Sequence, residues 1–76
     1  MMFGISKSAL ERLHEAYPVG CRVELIMMSD PYSTRPCVGD KGTVVCVDDI
    51  GTIHVQWDCG SSLGVVYGED ACKRIN

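Results

Sequence analysis

Five cysteines, two histidines and ten acidic side chains carry the metal-binding, nucleophilic and proton-transfer chemistry open to this 76-residue chain. Their spacing decides what each can do. The cysteines stand at Cys21, Cys37, Cys46, Cys59 and Cys72, separated by 16, 9, 13 and 13 positions. Zinc sites favour close pairs such as Cys-x-x-Cys, and the sequence holds none. His14 and His54 add no recognisable ligand spacing, so neither metal nor cofactor is expected. An odd cysteine count also argues against a disulfide framework. The thiols read instead as small buried side chains plus one or two at the surface. Asp48-Asp49 and Glu69-Asp70 are sequence neighbours. Neighbours on a strand point to opposite faces, so neither pair is a ready acid–base couple. Ser61-Ser62 lacks the Gly-x-Ser-x-Gly elbow of a nucleophilic serine. Gly39-Asp40-Lys41-Gly42 lacks the spacing and following helix of a phosphate-binding loop. An enzyme also needs a water-excluding cleft, which a chain this short scarcely encloses alone. The expectation is a protein that is not an enzyme.

Binding needs less machinery. Trp57, Tyr32, Tyr67 and Tyr17 are the large amphipathic side chains, the kind enriched where recognition surfaces lose water. Arg35 and Arg22 are candidate donors to a carboxylate or phosphate. Tyr32, Arg35, Arg22 and Trp57 are therefore the expected ligand-binding residues. Each also has a plainer reading: Trp57 as core at a strand end, Tyr32 as a loop anchor, the arginines as surface ion pairs. Nucleic acid is a poor partner, because phosphate binding needs clustered Lys and Arg and the net charge is −3. Residues 39–76 hold six acidic and three basic side chains, whereas residues 1–38 hold four of each.

These residues need elements to position them. Residues 6–17 read as one helix with Leu10, Leu13 and Tyr17 in a single stripe. Either Ser6 caps it, with Ile5 and Leu10 as a hydrophobic staple, or Ser8 does, with Glu11 closing a capping box. Pro18 and Gly20 end it. The hydrophobic period then changes to two. Val23, Leu25 and Met27 alternate with polar or outward residues in a strand over Cys21–Met28. Ser29–Asp40 is a long loop stiffened by Pro31 and Pro36, and loops of this length are usually functional or disordered. Further strands are expected at Thr43–Val47, Thr52–Trp57, Ser61–Val66 and Cys72–Ile75, joined by tight turns. Val23, Leu25, Val45, Ile53, Val55, Leu63 and Ile75 are the expected core. The fold class is mainly β: a small five-stranded SH3-like barrel over about 20–76, preceded by one α-helix, all in a single domain. No run approaches the roughly 18 apolar residues of a membrane span. The N-terminus lacks the pattern of a signal peptide, so a cytoplasmic location is expected.

Four segments together are familiar: Tyr17-Pro18-Val19-Gly20-Cys21-Arg22-Val23; Asp30-Pro31-Tyr32; Gly42-Thr43-Val44 with Val47-Asp48-Asp49-Ile50-Gly51; and Trp57-Asp58-Cys59-Gly60-Ser61-Ser62-Leu63 ending in Gly68-Glu69-Asp70. The chain resembles the domain of unknown function 4314 family over nearly its whole length, from about Phe3 to Ile75. That family occurs in Firmicute genomes, prophages and phages. The resemblance implies a small β domain with an N-terminal helix and brings no catalytic residues. Two departures from the family pattern are Cys59 in its turn and the longer Cys37-Val38-Gly39-Asp40 stretch. Gly39-Asp40-Lys41-Gly42-Thr43-Val44 is also similar to the KOW motif. Gly42-Thr43-Val44 with Val55-Gln56-Trp57-Asp58-Cys59-Gly60 is similar to the Mind-bomb type of SH3-like barrel. Both patterns speak to turns more than to function.

The expected function is a non-enzymatic binding protein, a phage or prophage accessory in the bacterial host cytoplasm. It would bind a host protein, or sequester a small nucleotide-like ligand in an oligomeric pocket as counter-defence proteins do. The alternative is a KOW-like nucleic-acid-binding module. The apolar helix stripe with Ile26, Met27 and Met28 exceeds what one small barrel can hold, so a homo-oligomer, most simply a dimer, is expected.

Overall fold

A computed structural model of the chain describes residues 5–29 and 35–76. Helix α1 spans Lys7–Ala16. Ser6 is its N-cap, with extended backbone, and its Oγ accepts the Ala9 N–H at 3.2 Å. The Tyr17 N–H closes the last turn on the Leu13 carbonyl at 2.9 Å. Leu10, Leu13 and Tyr17 lay their stripe against the core, and no helix residue is fully buried. Among the described residues no helix is long and apolar enough to cross a membrane.

Among the described residues four antiparallel strands form one sheet: β1 (Arg22–Met27), β2 (Lys41–Val47), β3 (Ile53–Trp57) and β4 (Ala71–Arg74), in the order β3-β2-β1-β4. Gly42 is needed in the middle of this sheet. A Cβ there would stand 2.5 Å from Val55 Cγ1 and 2.8 Å from the Gln56 carbonyl. The returning arm of the first loop extends the pairing, because Leu25 N–H donates to the Asp40 carbonyl and Gly39 N–H to that of Leu25.

The expected fifth strand over Ser61–Val66 does not form. That segment contributes one antiparallel bridge, Ile53 to Val65. The physical reason is that side chains take its backbone groups. The Trp57 indole N–H donates to the Leu63 carbonyl at 2.7 Å, and the Leu63 N–H donates to Ser61 Oγ at 3.2 Å. The sheet is therefore four-stranded and open, where a five-stranded barrel was expected.

The core is Cys21, Val23, Leu25, Val44, Val47, Ile53, Val55, Trp57 and Val65. Two irregularities in register move residues off their expected faces. One lies between Val44 and Cys46. It buries Val44 and turns Val45 outward, 53% exposed, where Val45 was expected in the core. The other lies between Leu25 and Met27. It leaves Met27 51% exposed and packs Met28 against the core instead. An extra residue in one strand reverses every face beyond it. Two other expected core residues are also corrected. Leu63 is half-buried, because its segment is held by caps rather than by a ladder. Ile75 is exposed, because β4 ends at Arg74.

Candidate functional site

The turn between β2 and β3 prepares a histidine. Asp48 Oδ1 accepts the N–H groups of Ile50 at 3.2 Å and Thr52 at 2.9 Å, which fixes the turn. Its other oxygen, Oδ2, lies 2.9 Å from His54 Nε2. Ile53 and Val55 point into the core, so His54 between them points out. The Asp48 carboxyl is held below the ordinary aspartate value. The His54 hydrogen bond does most of this against the opposing effect of burial, helped by the Thr52 and Ile50 N–H groups.

His54 and Thr52 form the floor of an open groove of about 590 Å³, whose walls include Arg35, Ser61, Ser62 and Gly64. Gly64 is required for that wall to pass close by, since a Cβ there would come within 2.7 Å of Thr52 Cγ2. Trp57 holds the wall from behind through its bond to Leu63. Arg35 enters from the returning arm of the first loop. Its NH1 donates to Asp40 Oδ1 at 3.3 Å and Oδ2 at 3.1 Å. Asp40 also accepts the Cys37 N–H at 2.8 Å. That backbone bond leads in lowering the Asp40 pKa against burial, with Arg35 adding to it. Arg35 is held charged above the ordinary arginine value, first by its hydrogen bond to Asp40. The groove thus offers a guanidinium, an imidazole and three hydroxyls, with a fixed carboxylate behind the guanidinium and another behind the imidazole. That is chemistry for receiving an anion. Of the three hydroxyls, the Ser61 Oγ also accepts the Leu63 N–H at 3.2 Å.

Of the four expected site residues, Arg35 lines the groove. Trp57 is 1% exposed and serves as core and wall support. Arg22 makes a two-pronged pair with Asp58 and donates to Thr43 Oγ1 at 2.9 Å, on the sheet rather than in the groove. Tyr32 lies outside the described residues. The expected set omits His54, Asp48, Thr52 and the two serines as ligand contacts. The period-two alternation already places Thr52 and His54 on one outward face, and Asp48 six residues ahead is a turn-capping acid. Among the described residues no group of three His, Cys, Asp or Glu side chains could hold a metal ion.

A family model described as "Domain of unknown function (DUF4314)" matches residues 6–75. No curated protein and no solved structure matches the chain.

Proposed function

The chain belongs to the family of domain of unknown function DUF4314, and on that premise we propose that it is a non-enzymatic binding protein whose groove takes the phosphate end of a small nucleotide-like ligand. The observation that carries this reading is the convergence of Arg35, His54, Thr52, Ser61 and Ser62 on one open concavity. Phosphate oxygens accept several hydrogen bonds at once, and guanidinium is suited to donate two of them. Sequestration of a host component in the bacterial cytoplasm is the role this proposes for a phage or prophage accessory.

We read the sheet as an SH3-like barrel left open at one seam. The last strand returns beside the first, and the Ile53–Val65 bridge begins the missing pairing. Seventy-six residues enclose little by themselves. We propose that a second copy adds walls to the groove, and exposed Val38, Val45 and Ile50 are apolar surface that a dimer could cover.

Isothermal calorimetry with a panel of mononucleotides and cyclic dinucleotides at about 150 mM salt tests the reading. The expected result is saturable binding of at least one nucleotide, lost in Arg35→Ala and weakened in His54→Gln. Absence of binding across the panel, or full binding by Arg35→Ala, overturns it. Submicromolar binding to RNA or DNA, with the steep salt dependence of phosphate contacts, would favour the KOW-like alternative.

A further inference from the structure

The residues alternating with those of the groove line a second cavity. Thr52, His54, Gly64 and Val66 face the first; Gly51, Ile53, Val65 and Tyr67 face the second. This second cavity holds about 240 Å³ between α1 and the end of the sheet. Leu13, Ile53 and Val65 give it apolar walls. Tyr17 is fixed there, its hydroxyl donating to the Cys72 carbonyl at 3.1 Å. Tyr67 is 52% exposed at its border.

Among the described residues, one carboxylate lines this apolar space. Asp70 Oδ1 accepts the Ser29 N–H and the Ser29 hydroxyl, both at 2.9 Å, and Oδ2 accepts the Val66 N–H at 2.9 Å. All three donors are neutral. Burial pushes Asp70 up, but the bonds from Ser29 and Val66 outweigh it and leave the group below the ordinary aspartate value. Cys72, also in the lining, is pushed up to about 11, chiefly by burial, and stays neutral at physiological pH. Among the described lining residues, Asp70 is therefore the charged one. The ion pairs among the described residues are Arg22–Asp58, Arg35–Asp40 and His54–Asp48, and none of them reaches Asp70.

A carboxylate beside apolar surface is stabilised by a cation that brings its own apolar covering. A carboxylate has about four acceptor positions, and the three bonds described leave room for one more. The cavity is smaller than the roughly 300–1,000 Å³ of drug-sized sites, so its occupant is the size of one side chain. An aromatic ring at the border favours a cation over a neutral group. We propose that this cavity binds an organic ammonium, an apolar body of side-chain size whose charged head pairs with Asp70 beside Tyr67. The same chemistry can come from a free arylalkylamine or from the N-terminal residue of a partner peptide.

Amide chemical shifts of the ¹⁵N-labelled protein test this, titrated with phenethylamine, with 2-phenylethanol as its neutral analogue, and with a Phe-Gly-Gly peptide. Saturable shifts are expected at Leu13, Ile53, Val65, Tyr67 and Asp70, with the amine several-fold tighter than the alcohol. Asp70→Asn should abolish that preference. Because this change also disturbs the bonds to Ser29 and Val66, Tyr67→Ala is the second variant. Its exposed ring can be lost without unfolding, and it should weaken the amine more than the alcohol. Tighter binding of phenethylamine than of the peptide assigns the site to a small molecule, and the reverse assigns it to a protein segment. Equal binding of amine and alcohol, or no shifts at these residues up to about 10 mM of either cation, overturns the proposal. The anion groove is not involved, so failure of one reading leaves the other standing.

Discussion

Arg22 and Arg35 both pair with an aspartate, yet the two pairs are built for different ends. Arg22 holds Asp58 through two nitrogens and shares one of them with Thr43 on β2, so three elements are tied by one guanidinium. Its side chain is 33% exposed. Arg35 grips Asp40 through one nitrogen, five residues along the same loop, and its side chain is 61% exposed. The first pair ties β1 to β2 and to the turn after β3. The second is a local clasp that aims a cation into a groove. An arginine–aspartate pair is therefore a brace or a receptor according to whether its partners are distant in the chain or near, and how much water it still sees.

Breaking the brace side should cost far more stability than breaking the clasp. Trp57 stands beside Asp58 and is the largest fully buried side chain. Trp57→Ala should lose about 3–5 kcal/mol in urea unfolding, and nucleotide binding should fall with it as the Leu63 wall loosens. Acid sharpens the contrast next. Asp40, Asp48, Asp58 and Asp70 all have folded pKa values below the ordinary 3.8. A lowered carboxylate pKa gives stability that is whole above the unfolded value and is lost as pH falls through the folded one. Thermal unfolding should thus be flat between about pH 5 and 8 and fall steeply below 3.8, with a second decline at alkaline pH as the unfolded chain releases the Cys72 proton that the fold retains up to about 11. Arg22→Ala should lower the melting temperature at neutral pH and flatten that acid limb, because Asp58 then loses its partner. Arg35→Ala should barely move the melting temperature while abolishing nucleotide binding.

Much of this arrangement was readable from residue order. A serine cap at Ser6 or Ser8, Pro18 as stop, and the alternation of Ile53, Val55 and Trp57 all follow from local rules; the structure caps with Ser6 and keeps the other two. Val45 and Met27 were not readable, because a register irregularity is a property of two paired strands and leaves no mark on either alone. Ser61–Val66 has strand-like composition, but the Trp57 indole and the Ser61 hydroxyl compete for its backbone, and that competition is settled only in three dimensions. For the site, a lone Arg35 in a proline-bounded loop was visible. The convergence of His54 and the serines upon it was not, since it depends on where Gly64 lets the chain cross Thr52.

The smallest expected effect concerns the thiols. Cys37, Cys46 and Cys59 are exposed, whereas Cys21 is buried and Cys72 half-buried. Brief iodoacetamide treatment at about pH 8, followed by intact mass measurement, should add label at the first three positions and spare the other two. Cys72 is held neutral there by a pKa of about 11.

The contrast between brace and receptor comes down to where an anion lands. Adenosine monophosphate titrated into the ¹⁵N-labelled protein reads this directly from the amide shifts. The largest changes should fall on Arg35, Thr52, His54, Ser61, Ser62 and Gly64, with Arg22, Thr43 and Asp58 still. Shifts centred on Arg22 and Asp58 instead, or none at the groove residues at millimolar nucleotide, would contradict it.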